Sequence, residues 1–271
     1  MGRDRRAPDA RGLSRAAAGP VLVLGGAGVF GAALVRGLAA DGFRVVVAGR
    51  SVAPLRALAA EVGAEALVLD RTSPDLADRL RAAGPAIVVD AAGPFQAYEG
   101  HAVADAALAA GAHYLDLSDD GPFAAGIVAL DGMARDRGLV AISGASSVPG
   151  VSSAAAAALC EGLARVDLIE SAILPGNRAP RGLSVMRAIL AQAGRPVPVH
   201  EAGRPRRRPG WAGLGHVRLA VPGGPDLGRR RVSRIGAPDV LLFPRAFGAR
   251  TVRFGAGLEL GVLHLGLWAM A

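Results

Sequence analysis

From Val21 onward the chain alternates between short apolar runs and stretches whose apolar residues recur at helical spacing. Val21-Leu22-Val23-Leu24 is a continuous apolar run ending in glycine, the pattern of a strand buried on both faces of a parallel sheet. Residues 29–41 then predict a helix with Phe30, Leu34 and Leu38 on its apolar side, stopping at Gly42. Further strands are predicted at 44–48, 66–70, 86–90, 114–117 and 139–142. Helices are predicted between them, through Leu55, Leu58 and Val62, then at 75–83, 100–110 and 124–137. Six strands separated by helices predict a doubly wound parallel sheet of Rossmann type, in the order 3-2-1-4-5-6, with right-handed crossovers. Its ligand crevice should open at the carboxyl ends of strands 1 and 4.

After an alanine-rich helix at 151–164 the texture changes. Strand-like runs at 167–174, 217–221, 240–243 and 250–254 lie between proline- and glycine-rich connections, with one helix near 184–192 and an apolar helical stretch from Leu258 to Ala271. This predicts a smaller α+β domain whose mostly antiparallel sheet covers the cofactor crevice. The expected organisation is a disordered basic leader at 1–19, a dinucleotide-binding domain at 20–153 and a substrate or dimerisation domain at 154–271. The last of these is expected to be short at its C-terminal end.

Composition narrows the chemistry. All 31 basic side chains are arginines, so no Schiff-base lysine, P-loop lysine or Tyr-x-x-x-Lys pair can operate here. The net charge of +8 sits largely in the leader, in Arg204, Arg206, Arg207 and Arg208, expected in a proline-flanked loop, and in Arg229, Arg230, Arg231 and Arg234. Aromatic side chains that could stack on bases are nearly missing from these runs, Trp211 being the nearest, so no nucleic-acid partner is expected. The single cysteine, Cys160, cannot close an internal disulfide. No apolar stretch reaches the ~18 residues of a membrane span. A cytoplasmic protein without a membrane partner is expected, and no metal site.

The segment Gly26-Ala27-Gly28-Val29-Phe30-Gly31 follows a buried strand and opens a helix, the context a dinucleotide fingerprint requires. Gly26 is expected at the tight turn, Gly28 where backbone meets pyrophosphate, and Gly31 where helix and sheet approach. Strand 2 ends in Ala48-Gly49-Arg50-Ser51. Without an acid there to bind a ribose 2′-hydroxyl, Arg50 could grip a 2′-phosphate and Ser51 add a donor, which favours NADP over NAD. Asp70, ending strand 3, is placed either to meet the adenine or to cap the following turn. Ala92, Gly93 and Pro94 end strand 4 and leave room for the nicotinamide ribose, with Phe95 as a wall.

Acid–base candidates lie after strands 4 and 5: Tyr98, Glu99 and His101, then Asp116, Ser118, Asp119 and Asp120. The expected proton donor is Tyr98, His101, Asp119 or a water, although Glu99 and His101 also fit a helix cap and Asp119-Asp120 a turn. The run from Ser143 to Ser153 forms a hydroxyl- and glycine-rich loop in which Ser152 or Ser153 could cap a helix or hold substrate oxygens.

Together VLVLGGAGVFGAALVRGLA, VVVAGRS, DAAGPFQAYEGHAVADAALAAGAHYLDLSDD and ISGASSVPGVSS resemble the saccharopine dehydrogenase-like NADP-binding oxidoreductases, with a weaker likeness at ILPGNRAPRG. The resemblance implies a Rossmann domain, a nicotinamide cofactor and a second domain that binds a small-molecule substrate and often dimerises. The resulting expectation is an NADP-dependent oxidoreductase moving a hydride to or from a carbonyl, imine or enoyl group. The alternative is a non-catalytic NADP-sensing regulatory protein.

Overall fold

The computed structural model describes residues 19–179, 183–220, 223–224 and 226–271. Most of the expected leader, residues 1–18, lies outside them. Five strands come first: β1 (Val21–Leu24), β2 (Val45–Gly49), β3 (Glu65–Val68), β4 (Ile87–Asp90) and β5 (His113–Asp116). With β6 (Ala141–Ile142) they form one sheet in the order β3-β2-β1-β4-β5-β6. β1 runs parallel to both neighbours, Val21 standing opposite Val45 on one side and Ile87 on the other. Leu22, Val23, Val47 and Val88 are fully buried, as the continuous apolar runs require.

The connecting helices are α1 (Val29–Ala40), α2 (Val52–Val62), α3 (Leu76–Ala83), α4 (Ala102–Ala109), α5 (Gly121–Gly126), α6 (Asp131–Asp136) and α7 (Ser152–Cys160). α2 and α3 stop at Gly63 and Gly84, both left-handed, a helix end that glycine adopts without steric cost. α1 corrects the expected apolar side. Its buried residues are Gly31 and Val35, whereas Phe30 is 58% exposed. The expected helix at 124–137 is also broken into α5, a 3₁₀ turn at Ile127–Leu130 and α6.

The remaining chain holds β7 (Leu168–Ile173), α8 (Leu183–Ala191), β8 (Pro196–Glu201), β9 (Arg204–Pro209), β10 (Gly215–Ala220), β11 (Asp226–Arg234), α9 (Pro238–Phe247), β12 (Thr251–Ala256) and α10 (Gly261–Ala269). Its sheet is ordered β10-β11-β12-β8-β9, antiparallel throughout, with β7 added parallel to β12. Two expectations fail here. Residues 240–243 belong to helix α9, because Pro238 starts a helix whose buried Val240 and Phe243 share a side. The arginine run 204–208 is strand β9 rather than a loop, lying at the sheet edge where proline and charge are tolerated.

Chain contacts divide the fold into two compact units. Among the described residues, one comprises 19–92 with Ala102–Tyr114 and Met133–Val140; the other comprises Gly93–His101, Leu115–Gly132 and those described from Ala141 onward. Among the described residues no helix is long and apolar enough to cross a membrane.

Candidate functional site

The turn between β1 and α1 is set by four glycines. Gly25 takes φ +77°, so the tight turn falls one residue earlier than expected, at Gly25 rather than Gly26. A Cβ on Gly25 would lie 2.6 Å from the Cα of Ala92, at the end of β4. One on Gly26 would meet the Val47 side chain at 2.7 Å, and one on Gly31 would stand 2.2 Å from the Gly25 carbonyl oxygen. These three positions exclude any larger residue, and Gly26 and Gly31 are buried. Gly28 differs: its Cβ would meet only the Gly25 carbonyl oxygen, at 3.1 Å, and the residue is exposed.

That geometry makes a cradle. Gly28 is the N-cap of α1 with no side-chain capping bond, so the first-turn N–H groups of Val29, Phe30 and Gly31 have no acceptor within the helix. Such a helix start, with backbone donors and the positive dipole end exposed, suits a pyrophosphate. The residues present therefore fit the phosphate bridge of a dinucleotide. When bound, that cofactor would supply or take a hydride at its nicotinamide ring.

Arg50 and Ser51 are exposed after β2, and Ser51 makes no capping bond at the start of α2. Asp70 Oδ1 accepts from the Thr72 backbone N–H at 2.9 Å and the Thr72 hydroxyl at 2.8 Å. These bonds hold its carboxyl below the usual range, with Arg50 and Arg71 adding to the effect. Asp70 therefore shapes the turn that follows it, within electrostatic reach of Arg50. At the end of β4, the buried Asp90 accepts from the Ala92 N–H at 2.9 Å, and the Ala91 N–H bonds Leu24, closing the sheet edge beside the glycine turn.

In the second unit, Gly93 and Pro94 are joined by a cis peptide and lead into the turn Phe95–Ala97. Here three of the chain's few aromatic residues meet. The rings of Phe95, Tyr98 and Phe123 stand 5.0–5.4 Å apart, and His101 lies 4.4 Å from Phe123. The His101 Nε2 is 2.9 Å from the Phe123 carbonyl oxygen. Asp119, exposed, accepts from the Gln96 side-chain amide at 3.1 Å. Two of the three expected proton carriers, Tyr98 and His101, thus share one aromatic cluster, and Asp119 is tied through Gln96 to the same turn. Asp120 caps α5 by accepting from the Phe123 N–H at 2.9 Å.

Two buried carboxylates organise the loops nearby. Asp116 is wholly buried, and its Oδ1 accepts from Ser118 N–H, the Ser143 hydroxyl and Gly144 N–H at 2.8–2.9 Å. It pins the start of the hydroxyl-rich loop after β6, a clamping role that the sequence pattern does not announce. Asp239, in the first turn of α9, accepts from the Ser152 hydroxyl at 2.9 Å and the Ser171 hydroxyl at 3.3 Å. Burial raises the Asp239 carboxyl above its ordinary range. The Ser152 hydroxyl is thereby committed within the protein.

Residues 21–142 match the family model of the saccharopine dehydrogenase NADP binding domain. Among solved structures, saccharopine dehydrogenase (L-Glu forming) from Saccharomyces cerevisiae aligns with a TM-score of 0.65 at 20% identity, covering 88% of this chain. This chain spans only 55% of that protein's length. A UDP-N-acetylglucosamine 3-dehydrogenase from Acidithiobacillus ferrooxidans aligns over 90% of this chain and 71% of its own, at 19% identity and a TM-score of 0.45. A search of the curated proteins matched none. The glycine cradle and the six-stranded order agree with the matched domain: residues 21–142 are similar to the saccharopine dehydrogenase NADP binding domain.

Proposed function

We propose that the protein is an NADP-dependent oxidoreductase that moves a hydride to or from a carbonyl, imine or enoyl group of a small-molecule substrate. The observation that carries this reading is the glycine cradle at the start of α1, in a domain matched as NADP-binding. Gly26, Gly28, Val29, Phe30 and Gly31 would hold the pyrophosphate through backbone groups. Arg50 and Ser51 would hold the 2′-phosphate, since β2 ends without an acid to repel it. Asp70 would stand at the adenosine end, and Ala92, Gly93 and Pro94 at the nicotinamide ribose.

Tyr98, His101 and Asp119 are the proposed proton carriers, in a chain that has no lysine to serve instead. The test is cofactor titration by fluorescence with wild type and Arg50→Ala. The variant should weaken NADPH by at least ten-fold while changing NADH little. An equal loss for both cofactors would remove the 2′-phosphate assignment, and no binding of either would remove the oxidoreductase reading.

A further inference from the structure

Among the proposed proton carriers, one has an orientation that its surroundings dictate. His101 precedes α4 and its ring lies against Phe123, tilted by 32°. Its Nε2 faces the Phe123 backbone carbonyl at 2.9 Å, and a carbonyl oxygen can only accept. Nε2 must therefore carry a hydrogen whether the ring is neutral or charged. The nitrogen left to gain and lose a proton is Nδ1, and no described group bonds it.

The ring can sit there only because residue 126 is glycine. A Cβ built on Gly126 would stand 2.9 Å from His101 Cε1 and 3.6 Å from Nε2. Gly126 occupies the last position of α5, where an alanine would serve the helix better. Its φ of −73° does not call for glycine, so the backbone conformation does not explain the choice. What explains it is the histidine: the missing side chain is the space the ring fills. Phe123 and Gly126 lie three residues apart, so one short helix supplies the aromatic face, the carbonyl and the gap.

We propose that His101 is the acid–base residue of this protein, working through Nδ1, and that Phe123 and Gly126 are the positioning residues that fix its tautomer. This rests on the oxidoreductase reading. In the oxidative direction His101 Nδ1 would take the proton of the substrate O–H or N–H, and in the reductive direction the imidazolium would return it to the substrate heteroatom, leaving neutral His101; the cofactor, when bound, would take the hydride from the substrate carbon in the first case and supply it in the second.

Two-bond ¹H–¹⁵N spectra of the ¹⁵N-labelled protein, recorded between pH 5 and 8 with and without NADPH, test the proposal. The expected His101 pattern is the Nε2–H tautomer in the neutral form, with Nδ1 bare. Its ring signals should shift when NADPH is added, while those of His113, whose Nδ1 accepts from Val140 N–H in β-sheet surroundings, should not. Gly126→Ala should convert the pure tautomer into a mixture and leave NADPH affinity within about two-fold. A neutral Nδ1–H form in wild type overturns the proposal, even if Gly126→Ala does not fold. So does an unchanged tautomer in a folded Gly126→Ala, or a His101 ring indifferent to bound NADPH. Failure to bind NADPH at all would instead strike the underlying reading, with the tautomer still observed on its own.

Discussion

At the residue scale the glycines of the first turn do different work, and the difference is measurable. Gly31 is buried under the Gly25 carbonyl, so even a methyl group there must displace backbone. Gly31→Ala is expected to cost about 1–3 kcal/mol of stability, as overpacking does, and NADPH binding should fall with it. Gly28 is exposed and its added Cβ meets one atom only. Gly28→Leu should therefore leave urea unfolding nearly unchanged while abolishing NADPH binding, because the side chain would project where backbone must meet phosphate. If both variants lost stability equally, Gly28 would be a folding residue and not a ligand-facing one. The sequence pattern put the tight turn at Gly26, whereas the left-handed residue is Gly25. Nothing in a double glycine says which of the two bends; contact with Ala92 and Val47 decides it.

At the scale of elements, α10 is held by few side chains. His264 and Leu267 are its buried residues, and His264 Nε2 meets the Ser233 hydroxyl at 3.0 Å, both residues fully buried. His264 Nδ1 faces the Leu258 N–H at 3.4 Å, an arrangement for a neutral ring whose Nδ1 accepts. Burial holds the His264 pKa below its ordinary 6.5, with Arg231 and His216 adding to the effect. The unfolded chain therefore binds this proton more readily than the folded one. Stability contributed by neutral His264 is full above about pH 6.5 and is lost as pH falls below it, at up to about 1.4 kcal/mol per pH unit. Urea unfolding at pH 7.5 and 5.5 should show a steeper acid loss for wild type than for His264→Gln. Parallel losses would exclude His264 as the cause.

Elements also show where local pattern misleads. Val240-Leu241-Leu242-Phe243 reads as a strand because four apolar residues fit either period. Pro238 before it and the left-handed Gly248 after it frame a ten-residue helix instead. In β9, Arg206 and Arg208 stand opposite Val199 and Val197 of β8, and Arg208 reaches Glu201 at 2.8 Å. Its residues have no strand preference of their own; pairing with β8 makes them a strand.

At the scale of the whole molecule, ligand binding and folding are linked. A cofactor that binds only the folded chain should raise its stability by about 2.7 kcal/mol at a hundred times its Kd. Thermal melts with NADPH should therefore shift upward, NADH at the same concentration should shift them less, and Arg50→Ala should erase the difference. A melt unmoved by NADPH would count against the proposed cofactor. The sequence by itself determined the parallel sheet, its strand order, the glycine turn and the lysine-free chemistry. Those features rest on local periodicity and on residue type, which neighbouring positions along the chain display. Only the tertiary structure decided that Asp116 pins the loop after β6, that Ser152 serves Asp239, and that Gly126 makes room for His101. Each of those depends on residues 25 to 87 positions apart, brought within bonding or packing distance by folding, and no repeat along the chain encodes such a meeting.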